Sequence, residues 1–252
     1  MFLIGQSGKD KNDSYKITKS PSHEGGGYCD QPKQYDVVYA DPWIPPWHYN
    51  DKRDKHKRLC GGAAVHYPVL KTKDIMDLPV KNITSDNAIL FLWATFPNLL
   101  EALKVIEAWG FKYKTLGFVW VKLNKRFDRI FNKLIQSLPL NDEEIIAVLD
   151  KLRFFGIGSY SKSNAEVCLI ATKGRPKIKN NTVSNIVFAP IQQHSRKPKE
   201  ARERIEKIMG KDVSKIELFA TEKVDGWTSV GLAIDGRDIR NVLKKMKEND
   251  VG

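Results

Sequence analysis

The chain is poor in cysteine and has no long apolar run. These two features argue against a disulfide-stabilised secreted protein and against a membrane-spanning one. It has three cysteines, Cys29, Cys60 and Cys168, among 252 residues. So sparse and odd a number argues against a disulfide framework and fits a reducing compartment. No apolar stretch approaches the ~18 residues that a membrane span needs, and residues 1–8 are too short and too poor in basic residues for a secretory signal. We therefore expect a cytoplasmic protein that does not associate with membranes.

Acidic residues are also scarce relative to basic ones. The chain has 42 Lys and Arg against 30 Asp and Glu, which gives a formal net charge of +12. Such an excess favours a polyanionic partner, of which nucleic acid is the commonest, although lysines that only keep the protein soluble are the alternative. Hydrophobic residues make up 41% of the chain, which is enough for a globular fold. The length of 252 residues suits one α/β domain with a sizeable core, or two very small ones.

A compact zinc pattern is missing as well. His48, His56, Cys60 and His66 lie close together in the sequence, but their spacing matches none of the usual zinc-ligand arrangements. We expect no metal.

Apolar and aromatic runs alternate with segments of helical periodicity. Residues 1–34 are polar and predict a flexible leader, which leaves residues 35–252 as the domain. The predicted strands are 35–39, 88–93, 115–121, 167–171, 183–189 and 216–220, and the main predicted helices are 97–109, 198–209 and 238–247, with a short one from Thr72. This order predicts an α/β fold whose mostly parallel sheet has helices on both faces and binds ligands at the carboxyl ends of its strands.

Residues 124–153 interrupt the alternation. Apolar residues recur at helical spacing on both sides of the turn at 138–141, and Asn141 with Glu144 resembles a capping box. We predict an inserted helical hairpin. Its apolar stripes pack on each other, on the domain or on a partner, so a homodimer or a partner subunit is an open interpretation.

The strand at 35–39 runs into Asp41-Pro42-Trp43-Ile44-Pro45-Pro46-Trp47. Methylation of an aromatic amine requires acceptors for the amine hydrogens, because they free the nitrogen lone pair for attack. Asp41 and a carbonyl held rigid by Pro42 are such acceptors, and Trp43 or Trp47 can stack on a flipped base. The alternative is an ordinary Pro- and Trp-rich turn at a strand end.

The sequence resembles the MT-A70 family of adenine methyltransferases, and the resemblance is greatest to its phage and bacterial DNA branch. The motif Asp-Pro-Pro-Trp after a Val-Val-Tyr-Ala strand is that family's catalytic signature. The resemblance extends over about residues 35–240, and the stretches that carry it are 35–42, 61–63, 66–68, 89–93, 102–121, 163–170, 190–198, 216–220 and 226–227.

The resemblance implies a Rossmann-like fold, S-adenosylmethionine as the cofactor, and methyl transfer to N6 of adenine in DNA. It implies catalytic roles for Asp41 and Pro42, with Trp43 or Trp47 as the stacking ring. The implied cofactor-binding residues are Asp41, Asn164, Lys197, Glu217 and Asp235. The implied nucleic-acid-binding residues, in the loop that closes over adenine and in the basic loop before a helix, are His48, Tyr49, Lys52, Arg53, His66, Tyr67 and Arg196. Simple alternatives are a capping role for Asn164 and a surface charge for Glu217.

The chain departs from the family pattern at two places. The motif reads Asp-Pro-Trp-Ile-Pro-Pro-Trp, so the stacking role is divided between Trp43 and Trp47. Leu232 and Ala233 occupy positions where many members have polar residues that bind the cofactor's ribose, and Asp235 is the nearest substitute. These departures leave two alternatives to an active DNA enzyme: a catalytically silent subunit that binds nucleic acid, and an RNA adenine methyltransferase.

Overall fold

The computed structural model describes residues 34–42, 70–136, 138–156, 160–192 and 196–248. Within them lie seven strands: β1 (Tyr35–Ala40), β2 (Thr84–Ala94), β3 (Lys112–Leu123), β4 (Ala165–Thr172), β5 (Ile186–Pro190), β6 (Lys215–Leu218) and β7 (Thr228–Val230). The helices in the same ranges are α1 (Thr72–Met76), α2 (Leu99–Ala108), α3 (Phe127–Gln136), α4 (Asp142–Leu152), α5 (Lys199–Met209), α6 (Leu232–Asp235) and α7 (Ile239–Glu248). The predicted leader lies outside them apart from Gln34.

The seven strands form one sheet in the order β5-β3-β4-β2-β1-β6-β7. Strands β1, β2, β6 and β7 pair in parallel, as do β3 and β5. Strand β4 alone runs antiparallel to its neighbours β2 and β3. The prediction of a mostly parallel sheet is confirmed, and none of the described helices is long and apolar enough to cross a membrane.

The reversal of β4 changes which residues share an edge of the sheet. Its first residues pair with the last residues of β2 and β3: Val167 lies opposite Ala94, and Ala165 lies opposite Val121. The start of β4 therefore lies at the edge where the parallel strands end, which is the ligand-binding edge of such sheets.

Two apolar clusters cover the two faces of the sheet. The larger one packs α1, α2 and α7 on one face through side chains such as Ile75, Val105 and Leu243. The other packs α5 on the opposite face through Ala201 and Ile205. Helices thus cover both faces, as the sequence predicted, because continuous apolar strands such as β2 must be buried on both sides.

Two predicted strands fall short of their predicted limits at one end, whereas the others extend slightly beyond theirs. The strand predicted at 183–189 begins only at Ile186, because Asn180 accepts hydrogen bonds from the backbone and the hydroxyl of Thr182 and holds a turn just before it. The strand predicted at 216–220 ends at Leu218, because Phe219 has a positive φ of 63° that breaks the extended geometry.

Residues 124–153 form the predicted helical hairpin, α3 and α4. Asn141 and Glu144 make both hydrogen bonds of the capping box, at 2.9 and 3.0 Å. The hairpin leaves and re-enters the domain at one point, where the Asn124 amide donates to the carbonyl of Leu152 and Leu123 pairs with Arg153. No residue of α3 is buried, and Leu152 is the buried residue of α4. The hairpin therefore packs little on the domain core.

Candidate active site

Asp41 follows the last residue of β1 and forms an ion pair there. Its Oδ2 lies 2.7 Å from Nζ of Lys197, in the segment that precedes α5. The side chains are only 20% and 11% exposed, and Pro42 beside them is buried. The structure thus brings together two residues that the resemblance singles out, from positions 156 residues apart in the chain.

Two further charged side chains complete this cluster, and the sequence pattern assigned neither a role. Glu166, at the start of β4, lies 3.2 Å from Nζ of Lys197 and 2.6 Å from Nζ of Lys122, near the end of β3. A charged residue at the start of the apolar strand 165–172 was the available signal. Its meaning depends on β4 being antiparallel, which periodicity does not reveal.

Asp41, Lys197, Glu166 and Lys122 therefore form a row of alternating charges, which we call the charge row. Its formal charges sum to zero, and each carboxylate has a lysine partner, as burial of charge requires. The lysines also contact aromatic rings: Nζ of Lys197 lies 5.6 Å from the ring centre of Trp93, and Nζ of Lys122 lies 5.2 Å from that of Trp120. Both lysines thus make cation–π contacts in addition to their ion pairs.

Within the charge row, the pKa values of Asp41, Glu166 and Lys197 are shifted in different directions. Burial raises the pKa of Asp41, an effect that Lys197 opposes and Glu166 reinforces. Burial would also raise the pKa of Glu166, but Lys197 and Lys122 together hold it below its usual value. Burial disfavours the charged form of Lys197, yet Asp41 and Glu166 raise its pKa well above the ordinary one. Asp41 is thus the carboxyl group of the row whose pKa is raised.

The aromatic side chains of Tyr39, Trp93 and Trp120 form a layer next to the charge row. Nε1 of Trp93 donates to the hydroxyl of Tyr39 at 2.7 Å, and Nε1 of Trp120 donates to the carbonyl of Ala189 at 2.9 Å. The rings of Trp93 and Trp120 meet edge to face, with centres 6.4 Å apart. Both indole N–H groups therefore have hydrogen-bond partners, as buried polar groups normally do.

Glu217 on β6 belongs to a second ionic network. Both of its carboxylate oxygens accept from Nη1 of Arg202 on α5 at 3.1 Å, and Glu222 bonds to Arg202 and Arg196. Burial raises the pKa of Glu217 to about 7, while Arg202 opposes the shift. The structure assigns Glu217 to the attachment of α5, and its contact with a cofactor stays a prediction.

An open cleft of about 170 Å³ lies at the ends of β6 and β7. Its described lining is mainly apolar, with a polar pair, Asp238 and Arg240, at the start of α7. The lining residues are Leu70, Phe219, Ala220, Thr221, Gly231, Leu232, Ala233, Asp238, Ile239 and Arg240. Because β6 is the parallel neighbour of β1, the cleft opens at the same edge of the sheet as Asp41.

Asp235, one of the predicted cofactor-binding residues, makes its own local contacts near this cleft. Asp235 ends α6 and accepts from the backbone and the guanidinium of Arg237, and it is not among the described residues that line the cleft. The acidic side chain in the lining is Asp238, three residues on. Asn164 is half-buried next to Glu166, and its carbonyl accepts from the backbone of Lys122 at 2.9 Å.

Most predicted nucleic-acid contacts lie outside the described residues. These are Trp43, Trp47, His48, Tyr49, Lys52, Arg53, His66 and Tyr67, together with His56 and Cys60 of the unmatched zinc pattern. Arg196 is described and pairs with Glu222, beside the charge-row residue Lys197.

The sheet order, the single reversed strand and the ligand-binding edge define a Rossmann-like methyltransferase fold. The sequence model of the MT-A70 family matches residues 35–148 and 150–233. The chain belongs to the MT-A70 family.

Relatives of two kinds are similar to this chain. A Type II methyltransferase, M.MunI, of a Mycoplasma species is 32% identical over 82% of this chain and 81% of its own length. An N(6)-adenosine-methyltransferase MT-A70-like protein of Arabidopsis thaliana is 28% identical over 80% of this chain, but only 24% of its own length. A protein of Oryza sativa subsp. japonica named Probable N(6)-adenosine-methyltransferase MT-A70-like is 27% identical over 81% of this chain and 23% of its own length. The chain thus spans about a quarter of these plant proteins.

Proposed function

We propose that this protein transfers a methyl group from S-adenosylmethionine to N6 of adenine in DNA. The observation that carries the proposal is the position of Asp41 in a chain of the MT-A70 family. Its carboxylate is largely buried at the ligand-binding edge of the sheet and fixed by Lys197 at 2.7 Å. A fixed, desolvated carboxylate is the acceptor that an aromatic amine needs to become a nucleophile.

Asp41, Pro42 and Lys197 each have a separate role in the proposed reaction. S-adenosylmethionine supplies an electrophilic methyl group on sulfonium. Asp41 accepts a hydrogen of the adenine amine, with Pro42 restricting the direction of the chain beside it. As the methyl group passes from sulfonium to N6, Asp41 would take the proton that N6 loses and release it to solvent. Lys197 favours the ionised form of Asp41 before the proton arrives and holds the side chain in place, because it binds Oδ2 and leaves Oδ1 for the amine.

The cleft at the ends of β6 and β7 fits the adenosine part of that cofactor. Phe219, Leu232 and Ile239 provide apolar surface for an aromatic ring, and Asp238 is a carboxylate suited to ribose hydroxyls. Gly231 permits the close approach that shapes the cleft, since a Cβ there would lie 2.2 Å from the carbonyl oxygen of Ala220. We assign to Asp238 the role that polar side chains have at the Leu232 and Ala233 positions in other members.

DNA is favoured over RNA by the relatives. The relative that this chain matches over 81% of that relative's length is named a Type II methyltransferase, and the sequence resembles the phage and bacterial DNA branch of the family most. The plant proteins named adenosine methyltransferases are much longer than the shared part. The net charge of +12 suits either polyanion. RNA is therefore the competitor to include in the assay, since contacts to 2′-hydroxyls would favour it.

Asp41→Asn tests the assignment. Asparagine keeps the shape but lacks the charge and one acceptor, so we expect transfer of labelled methyl groups to adenine-containing DNA to fall by a factor of about 100 or more. The matched control is Asp86→Asn, because Asp86 lies at the far end of β2 and its side chain is 98% exposed. Full activity in Asp41→Asn would contradict the mechanism. Faster methylation of RNA than of DNA by the wild-type protein would show that RNA is the substrate.

A catalytically silent, nucleic-acid-binding subunit is the second candidate. The apolar side chains of Leu232 and Ala233 in the cleft lining favour it, because they cannot bind ribose hydroxyls. Calorimetry with S-adenosylmethionine separates the two functions. Heat of binding that is reduced in Asp238→Ala supports the enzyme, whereas an absence of both heat and thermal shift in the wild-type protein supports the silent subunit.

A further inference from the structure

The helical hairpin exposes several large apolar side chains. The side chains of Ile135, Ile146 and Leu149 are 50%, 61% and 53% exposed. Leu138, in the turn between the helices, is 58% exposed. Contiguous exposed apolar groups on one element mark an interaction surface, whereas scattered ones need no explanation.

These exposed groups form one side of each helix rather than a random scatter. On α3, the half-buried Phe127, Ile130 and Leu134 form an inner stripe, and Phe131 and Ile135 lie beside them on the exposed side. Helix α4 repeats the arrangement. Its inner stripe consists of Val148 and Leu152, and its exposed side is made by Ile145, Ile146 and Leu149. The inner stripes are partly or fully buried. The exposed sides of the two helices together form what we call the outer stripe.

Charge distinguishes the two helices. Residues 125–136 contain four basic and one acidic residue, whereas residues 142–152 contain four acidic and one basic residue. A second copy of the same hairpin therefore offers each helix a partner of opposite charge. A two-fold axis that sets α3 of one copy against α4 of the other satisfies this pairing twice, while contacts between identical helices would oppose like charges.

We propose that the outer stripe binds a second copy of this chain, so that two hairpins form a four-helix bundle in which α3 of each copy lies along α4 of the other. Two short helices bury too little apolar surface to be well ordered by themselves, and four helices around a common core resolve this. Among the described residues, backbone contacts between residues 123–124 and 152–153 mark the point where the hairpin joins the domain, so the bundle can form without rearranging the sheet.

The first test measures the self-association of the full-length protein by sedimentation equilibrium over the micromolar range. We expect a dimer for the wild type. Ile146→Asp with Leu149→Asp should raise the dissociation constant at least about 100-fold, because each copy then places two charges where apolar side chains meet. Ala147→Asp is the matched control: it adds an acid to the same helix at an exposed position on the side away from the outer stripe, and should leave the dimer largely intact.

A charge exchange tests the arrangement of the helices. Lys125→Glu with Arg129→Glu makes both helices acidic, and Glu143→Lys with Asp150→Lys makes both basic. Each variant alone should associate at least about tenfold more weakly than the wild type, and an equal mixture of the two should form a heterodimer. Thermal unfolding verifies that each variant is folded.

Three results would overturn the proposal. They are a wild-type protein that stays monomeric over the whole range, a dimer that survives the Ile146 and Leu149 substitutions, and a mixture of charge variants that does not associate. Loss of affinity for duplex DNA in the Ile146 and Leu149 variant, with no dimer in the wild type, would assign the outer stripe to nucleic acid instead.

Discussion

At the scale of single residues, the charge row connects four side chains whose protonation states depend on one another. Asp41 must be ionised to accept an amine hydrogen, and Glu166 is the carboxylate that raises its pKa from across Lys197. Lys197 is shared between the two, at 2.7 and 3.2 Å. We therefore regard Glu166 as a positioning residue that acts on the reaction through Lys197.

Glu166→Gln should move the acidic limb of the pH–rate profile. Removal of this charge takes away an effect that raises the pKa of Asp41 and leaves Lys197 wholly to Asp41, so both changes lower that pKa. The acidic limb of kcat/KM should therefore shift to lower pH. The measurement is methyl transfer as a function of pH for the wild type and the variant.

Lys197→Met should shift the acidic limb of the pH–rate profile in the opposite direction. Because Lys197 lowers the pKa of Asp41, its removal should shift the acidic limb to higher pH. A merely structural role for Glu166 would change the rate at all pH values without moving the limb. An unshifted profile in both variants would show that Asp41 does not titrate in the limiting step.

At the scale of the elements, the pair Arg202–Glu217 links α5 to β6 across the sheet surface. Glu217 binds a proton more tightly in the folded chain, with a pKa of about 7 against an ordinary 4.5. The folded state therefore holds more protons than the unfolded state between these values, and its stability falls as the pH rises through this window. Below pH 4.5 the favourable contribution is complete, and above pH 7 it is lost.

Glu217→Gln should remove this pH dependence. The free energy of unfolding of the wild type, relative to the variant, should decrease by at most about 3 kcal/mol between about pH 4.5 and 7. Denaturant titrations at several pH values measure it. Glu203→Gln, an exposed position on the same helix, should keep the wild-type slope. Parallel curves for the wild type and Glu217→Gln would contradict the assignment.

Most elements were predictable because their signals are local. The apolar run of β2, the helical periodicity of α5 and the capping box at Asn141 are all contained in short stretches, and each prediction is confirmed. The end of β6 was not predictable, because it depends on the positive φ of Phe219, a residue type that rarely adopts one.

The candidate site was predictable only in part. Asp41 and Lys197 each lie in a recognisable motif, but Glu166 and Lys122 acquire a role only when β4 is laid antiparallel between β2 and β3. Strand direction follows from tertiary packing and leaves no mark on periodicity. For the same reason, the sequence did not reveal that Arg202 uses the carboxylate of Glu217.

At the scale of the whole molecule, the net charge of +12 predicts how binding responds to salt. Each phosphate that the protein neutralises releases counterions, which contributes about −0.9 to the slope of log affinity against log salt. If the protein neutralises about five phosphates, affinity for duplex DNA should fall about 500-fold between about 50 and 200 mM salt. Fluorescence anisotropy with labelled DNA measures the slope.

Paired charge removals locate the DNA-binding surface. Lys52→Gln with Arg53→Gln should make the slope shallower by about two, because each side chain then no longer neutralises a phosphate. Arg175→Gln with Lys177→Gln removes the same charge after β4, where the Arg175 amide bonds to Asn87 at the opposite edge of the sheet, and should leave the slope unchanged. Equal effects of the two pairs would mean that binding follows total charge rather than a defined surface.

The connection between β3 and β4 has a consequence for protein engineering. Its two ends are tied to each other, by the Asn124 amide on the Leu152 carbonyl at 2.8 Å and the bridge between Leu123 and Arg153. An insertion whose ends already meet adds little loop-closure entropy, whatever its length. The hairpin is thus a natural grafting point: a module of another length or specificity can be exchanged there, next to the reacting groups, while the sheet that holds them stays intact.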